Sequence, residues 1–372
     1  MRLLIFHTGR ITQDRYENFF KLIEMLNHNL IGFTSFNENN SFRKIGDYTA
    51  YPLDSITMLK YDKILISEYS WLQIDAFKSK FIDMGVPAEK IVGIYWLLKQ
   101  VMMKKYEDSK DPVIQETLAY WQNHELTVFN QHIDENQHTY DEVFIDESCG
   151  LPYINFETIE GKQRRMYYPR DGSDQLPSSD GKKYILNVFR EQIPTSPHLY
   201  TKGTHTVEEG DVLIDAGVCE GNFSLRYADI VSKIYLFEPN QKWYEPLYHS
   251  FKDVWDKVEF IPKFVSDSTQ GGTVALDDVI KIPVGSKVFL KMDIEGAEVD
   301  ALRGAKKTLA MNKVKASICS YHHLNDIVKI KSILHNYGYK TAVSDGYMIF
   351  ILDPDIFETT DFRKGVIYAE NF

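Results

Sequence analysis

Residues 211–224, Asp-Val-Leu-Ile-Asp-Ala-Gly-Val-Cys-Glu-Gly-Asn-Phe-Ser, constrain this chain more than any other stretch. An apolar run, Val212 to Ile214, ends in an acid at Asp215, and glycines follow at Gly217 and Gly221. That order reads as a buried strand, a tight turn and a helix start, the opening unit of a doubly wound parallel sheet. The turn is not a dinucleotide loop. Such a loop reads G-x-G-x-x-G, so that backbone can approach a pyrophosphate. Here Cys219 takes the middle-glycine position and the last glycine arrives one residue early. An acid at the strand's end would repel a pyrophosphate, but it suits a ligand that carries an ammonium and a sulfonium group.

A second acid strengthens the pattern. Glu238 ends the strand-like run Lys233-Ile-Tyr-Leu-Phe-Glu238 and precedes Pro239. An acid at the tip of the second strand, roughly 20 residues past the first turn, grips ribose hydroxyls. S-adenosylmethionine satisfies both acids. The candidate cofactor-binding residues are Asp215, Ala216, Gly217, Glu220, Gly221, Asn222, Phe223, Glu238 and Pro239. A glycine pair alone would fit an ordinary βαβ unit with packing glycines. The two acids at strand ends favour the cofactor.

The next constellation is Val288-Phe-Leu-Lys-Met-Asp-Ile-Glu-Gly-Ala-Glu298, an apolar strand ending at Asp293 with a turn at Gly296. Val274-Ala-Leu-Asp-Asp278 lies upstream, and Ala316-Ser-Ile-Cys-Ser-Tyr-His-His323 lies downstream. With IDAGVCEGNFS and YLFEPN, these blocks make residues from about 209 to 352 resemble the FkbM-type family of S-adenosylmethionine-dependent methyltransferases. The likeness extends weakly upstream through Ser196-Pro-His-Leu-Tyr200 and a hairpin near 153–168. It implies an α/β fold: a C-terminal Rossmann-like seven-stranded methyltransferase sheet, preceded by a smaller parallel α/β domain. Two departures stand out. Family members often carry alanine and asparagine where this chain has Val218 and Cys219. They also commonly carry a glutamate in the strand that here reads Ser317-Ile-Cys-Ser-Tyr321, which makes His322 or His323 the candidate replacement.

Composition bounds the partners. A net charge of −11 weighs against a nucleic-acid substrate, because phosphate backbones need a basic face. Three cysteines, Cys149, Cys219 and Cys319, lie far apart without a C-x-x-C, so neither a zinc site nor a disulfide framework is indicated. Only four apolar residues follow Arg2, too few for a secretory signal, and no run approaches the roughly 18 apolar residues of a membrane span. A cytoplasmic protein without membrane insertion is expected. Aromatics at 13% could stack on sugar faces, although rich cores account for them as well.

Four domains of organisation follow: 1–97, a small Rossmann-like domain; 98–140, a helical linker; 141–208, a hairpin and loop-rich segment; and 209–372, the methyltransferase domain. In the first, strands are predicted at 2–6, 30–34, 63–67 and 90–95, with helices at 14–28 and 71–84. Asn37 to Asp47 reads as a loop. Only Gly9 stands where a dinucleotide loop needs three glycines, and Phe36 and Asn37 replace the ribose acid, so no NAD is expected there. This domain is the candidate surface for self-association. Two helices are expected over 98–133, the second capped by Asp111-Pro112 and packed through Trp121, Leu126 and Phe129. Pro169 to Gly181 reads as loop and Lys182 to Gln192 as helix. Val258 to Val265 reads as one strand, and the last strands as 341–344 and Tyr347 to Leu352.

For chemistry, Asp293 is the leading catalytic candidate, as a base, a positioning group or a cation ligand. His322 and His323 share its rim by topology, and either could serve as a base. Glu295 and Glu298 open the following helix, where acids also suit the helix dipole. Ser266 and Asp267 would face the adenine. A divalent metal is left open. Lys162, Arg164, Arg165 and Arg170 form a basic patch that could hold phosphate or be a solvated face. The expected activity is O-methylation of a hydroxyl in a sugar of a bacterial surface-glycan precursor. A non-catalytic binding or scaffolding protein and an amine N-methyltransferase are the alternatives.

Overall fold

The computed structural model describes residues 1–8, 16–36, 44–45, 47–68, 71–127, 143–170, 191–350 and 361–372. The chain forms two compact units: Met1–Gln131 with Ile349–Phe362, and His132–Met348 with Arg363–Phe372.

The first unit is built on a parallel sheet of β1 (Arg2–His7), β2 (Asn29–Thr34), β3 (Lys63–Ser67) and β4 (Ile91–Gly93), in the order β2-β1-β3-β4. Helices α1 (Tyr16–Met25) and α2 (Trp71–Asp83) alternate with the strands. The fourth strand is shorter than the sequence predicts. Backbone leaves the sheet at Gly93, and α3 (Ile94–Lys105) starts at once. Helix α4 (Pro112–Trp121) begins where Asp111 accepts the amides of Val113 and Ile114 at 2.9 and 3.3 Å. Trp121 and Leu126 are buried. Phe36, where a ribose-binding acid would stand, packs edge-on against Phe6 at 4.8 Å and stacks near Phe77 and Phe81. Aromatic side chains here fill a core. Gly9, Asn37, Phe129, most of the loop expected after Phe36, and nearly all of 169–192 lie outside the described residues.

The second unit opens with β5 (Phe144–Ile145), β6 (Pro152–Glu157) and β7 (Gln163–Tyr167), an antiparallel ladder whose hairpin turns at Gly161 as expected. Its main sheet has seven strands: β8 (Val212–Ala216), β9 (Lys233–Phe237), β10 (Val258–Ile261), β11 (Lys287–Met292), β12 (Lys313–Cys319), β13 (Lys340–Val343) and β14 (Val366–Glu370). Their order is β10-β9-β8-β11-β12-β14-β13. The first five are parallel, and β14 runs antiparallel to both neighbours. The fold is therefore α/β and Rossmann-like.

Side chains alternate faces along each strand. Leu213, Leu236 and Phe289 join one buried cluster, and Val212, Ile214, Phe237, Leu290 and Met292 join the other. Burial on both faces is why these strands read as unbroken apolar runs. Two strand expectations are corrected. The strand after β13 in the sheet is Val366–Glu370; Met348–Phe350 instead pairs with Asp361–Arg363 in a separate ribbon. The run 258–265 is also split. Its last two residues, Phe264–Val265, pair with Thr273–Val274 outside the main sheet.

The basic patch is matched by acids. Arg164 pairs with Asp229 at 2.6 Å, Arg165 with Asp146 at 2.9 Å and Arg170 with Glu245 at 2.8 Å, while Lys162 reaches Asp229 and Glu160. These pairs tie the hairpin to neighbouring segments, so the patch reads as an internal clamp and not a phosphate seat.

His205 reports on the core. Its Nε2 lies 3.0 Å from Ser317 Oγ, and its ring packs against Phe289 and Tyr368. Burial, with the Lys315 charge, pulls it from 6.5 down to about 4. Below its ordinary value the unfolded chain takes up a proton that the fold refuses, so stability is complete above that pH and is lost as pH falls toward the folded value. The loss should reach about 3 kcal/mol. Urea unfolding of the wild type should show it, and His205→Gln should show distinctly less; equal losses in both would contradict this role.

Candidate active site

The site is assembled at the carboxyl ends of β8, β9, β11 and β12, the edge where open α/β sheets bind ligands. Gly217 decides the approach of the first loop. It has φ +82°, and a Cβ there would lie 1.7 Å from the Asp293 carbonyl oxygen. The Asp293 amide in turn donates to Ala216 O at 2.9 Å. A glycine is required, and it presses the β8 loop onto the end of β11. Gly221, also left-handed at φ +78°, precedes helix α5 (Asn222–Tyr227).

Asp215 is 1% exposed. It accepts Ser224 Oγ at 2.6 Å and stands 3.0 Å from Lys291 Nζ. Asp215 and Lys291 are register partners on adjacent strands, so both point to the same face. Lys291 also donates to Gly217 O and lies over the Tyr200 ring at 5.2 Å. Burial works against the ammonium, but Asp215 and Asp293 outweigh it and raise the Lys291 pKa. Asp215 thus holds the loop from below.

Glu238 follows β9 directly and holds two backbone amides. One oxygen accepts the Cys219 amide at 3.0 Å, the other the Asn240 amide at 2.9 Å. Each oxygen keeps a lone pair for a further donor. Burial raises its pKa. Cys219 adopts φ +48° to present that amide. Glu220 is buried beside it, and burial pushes its carboxyl up to about 8. Ala216 is fully buried, Asn222 opens α5, and Pro239 is half-buried. Phe223 packs inward, with its ring 5.3 Å from Tyr200 and 5.6 Å from Phe289. Ser266 and Asp267 sit against Gly304, and the exposed Asp267 side chain accepts Ser268 Oγ at 2.9 Å.

Around Asp293 the rim is dense in polar groups. Tyr200 donates to Oδ2 at 2.7 Å and Tyr321 to Oδ1 at 3.4 Å. His198 Nε2 lies 3.3 Å from Oδ2, and His322 Nε2 lies 3.5 Å from Oδ1. Burial pushes the Asp293 carboxyl up, but His198, His322 and Lys291 outweigh it and hold it well below its ordinary value. Glu298, fully buried on α6 (Glu298–Arg303), accepts the Ile294 amide at 2.9 Å and stands 3.0 Å from His322 Nδ1. Burial lowers His322; Glu298 and Asp293 reverse that and raise it. The buried Arg363 donates to the carbonyls of Tyr321 and His322 at 2.6 and 2.7 Å, which fixes the end of β12. His323 behaves differently: its side chain is exposed and covers Gly296, and its amide donates to Asp326 at 2.9 Å.

The structure therefore gathers Asp215, Ala216, Gly217, Glu220, Gly221 and Glu238 around one loop, with Asp293 and His322 beside it. His323 turns outward. Sequence reading gave no role to His198, Tyr200, Lys291, Tyr321 or Arg363. The signal for the first two lay in the block SPHLY, and for Lys291 in a lone charge within an apolar strand. Cys319 Sγ, 3.3 Å from His198 Nε2, lies in the strand where the family's glutamate is expected.

Residues 259–341 match the profile of the Methyltransferase FkbM domain. No curated protein matches the chain in sequence. Among solved structures it is similar to methyltransferase FkbM from Methylobacillus flagellatus KT, at 14% identity and TM-score 0.40, over 99% of this chain and 89% of that one. It is also similar to precorrin-6y C5,15-methyltransferase from Geobacter metallireducens GS-15, at 16% identity and TM-score 0.30, over 45% and 81% of the two chains. A Streptococcus mutans protein in complex with SAH gives 13% identity and TM-score 0.30, over 45% and 93%. These scores are low, and the assignment rests on the domain match. The domain match, on a Rossmann-like fold, marks an S-adenosylmethionine-dependent methyltransferase. More narrowly, the second unit carries an FkbM-type methyltransferase domain.

Breaking a buried ion pair on one side leaves an uncompensated charge. Lys291→Met should therefore cost about 3–5 kcal/mol in urea unfolding. The double variant Asp215→Asn with Lys291→Met should recover most of that; no recovery would mean that the pair is not the unit that matters. Glu238→Ala should weaken S-adenosylmethionine binding by about 1–3 kcal/mol in calorimetry. Unchanged affinity would remove Glu238 from the cofactor site.

Proposed function

We propose that the enzyme methylates a hydroxyl oxygen, and that the acceptor is a sugar in a surface-glycan precursor. When bound, S-adenosylmethionine supplies the electrophilic methyl group; the chain must align the acceptor oxygen with it and take up the acceptor's proton. Asp215, Gly217 and Gly221 shape the loop, and Glu238 would hold the ribose.

The observation that carries this reading is the carboxylate of Asp293, side by side with the cofactor loop and ringed by Tyr200, Tyr321, His198 and His322. A neutral hydroxyl can donate a hydrogen bond to that carboxylate and expose an oxygen lone pair. An amine would fare worse there, because a neighbouring carboxylate favours its ammonium form, which has no lone pair to react. This favours oxygen over nitrogen. Tyr321, half-buried beside Asp293, offers an aromatic surface that suits the apolar face of a sugar. No helix among the described residues is long and apolar enough to cross a membrane.

Incubation with labelled S-adenosylmethionine and extracted nucleotide- and lipid-linked sugars, followed by mass spectrometry, tests it. The expected product carries the label on a sugar oxygen. Asp293→Asn should lower turnover by about 100- to 10,000-fold with cofactor affinity retained. An N-methylated amine as product, or full turnover in the variant, would overturn the assignment.

A further inference from the structure

The same rim holds an arrangement that methyl transfer to a neutral acceptor does not by itself require. Three carboxylates, from Asp293, Glu295 and Glu298, converge on one imidazole, His322. Nε2 lies 3.5 Å from Asp293 Oδ1 and 3.5 Å from Glu295 Oε2. Nδ1, on the other side of the ring, lies 3.0 Å from Glu298 Oε1. His322 is only 5% exposed, yet neither ring nitrogen makes an aligned hydrogen bond, and the buried Glu298 Oε2 is also unbonded. Buried polar atoms left in this state are costly unless something satisfies them.

We propose that His322 Nε2, Asp293 Oδ1 and the Glu295 carboxylate bind one divalent cation, with Glu298 orienting His322 from behind. The spacing fits. Ligands held at about 2.1 Å from a common cation stand about 3.0–3.4 Å apart, within a few tenths of an ångström of the two distances from His322 Nε2. The donor atoms of Asp293, Glu298 and His322 all fall within 4.8 Å of one another, and the exposed Glu295 side chain has to swing toward Asp293 to complete the ligand set. A ligating histidine whose second nitrogen faces a buried carboxylate is the arrangement that fixes tautomer and ring direction in metal sites. Tyr321 reaches Asp293 Oδ1 at 3.4 Å, which leaves that oxygen a second lone pair. The Glu295 side chain is 92% exposed, so the site opens to solvent and a cation can enter.

A neighbouring cluster, His198, Asp293 and Cys319, has metal-like spacing as well. It fits less well, because Tyr200 already donates to Asp293 Oδ2 and His198 Nε2 lies against the Cys319 sulfur. One imidazole with carboxylates suits Mn²⁺ or Mg²⁺ better than a thiolate-seeking ion. The use of the cation rests on the O-methylation reading: it would bind the acceptor hydroxyl and ease loss of its proton. Its binding does not rest on that reading.

Titration of the full chain with Mn²⁺ alone, followed by loss of the free-ion electron paramagnetic resonance signal, tests the site without cofactor or acceptor. One Mn²⁺ per chain is expected. Glu298→Gln should weaken binding about 10- to 100-fold, the usual effect of losing an orienting partner. Glu295→Gln, at an exposed position that leaves the fold intact, should weaken it at least as much, and His322→Ala should abolish it. No Mn²⁺ binding, or a titration unchanged by Glu295→Gln, would overturn the proposal and leave the acceptor assignment standing.

Discussion

The buried pair of Asp215 and Lys291 is the interaction on which the site depends. The two residues face each other across β8 and β11, in a sheet interior that excludes water from both faces. Neither charge could stay there alone. Together they connect three things that have no sequence proximity. Lys291 holds Gly217 O and so the cofactor loop; it lies over Tyr200; and Tyr200 donates to Asp293. The loop proposed to receive the cofactor and the carboxylate proposed to receive the acceptor are thus set by one ion pair. A hydrophobic replacement of similar volume could match its stability, but would give up the hydrogen bonds that define the geometry.

Above that pair, the division of labour between the two strand-end acids is physical. Asp215 is engaged by Ser224 and Lys291, whereas Glu238 accepts only two backbone hydrogen bonds and keeps further lone pairs. A charge-complementarity argument from sequence assigns Asp215 to the ligand's ammonium. Lys291 already neutralises that carboxylate, and its place opposite Asp215 emerges only from strand register. Asp277 shows the same lesson on a smaller scale. In sequence it is one of two adjacent acids; in the fold it accepts the amides of Lys307 and Thr308 at 2.7 and 2.8 Å and starts the helix Lys306–Met311.

What was legible in the chain follows from burial. Strands covered on both faces, such as Val212–Ala216 and Lys287–Met292, read directly as apolar runs with an acid or turn at the end. Glycines whose neighbours forbid a Cβ, Gly217 above all, read directly too. The strand beside β12 did not. Tyr347 to Leu352 is the more apolar run, yet Val366–Glu370 is the segment that reaches β12 and β13, because pairing, and not hydrophobicity alone, selects it. His198 and Tyr200 come from an irregular segment without any period, so nothing local announced that they meet Asp293. Adjacent His322 and His323 could not be told apart in sequence; the end of β12, clamped by Arg363, sends one inward and the other out.

We propose that the cofactor is received by the loop between β8 and α5 and by Glu238, within the second unit. Amide hydrogen exchange of the whole chain, with and without S-adenosylhomocysteine, tests it most directly. Slowed exchange confined to residues 217–223 and 238–240, with the rim at 293–298 responding less, is the expected result. No protection in that loop, or protection at the carboxyl ends of β1 and β3 in the first unit instead, would contradict the account.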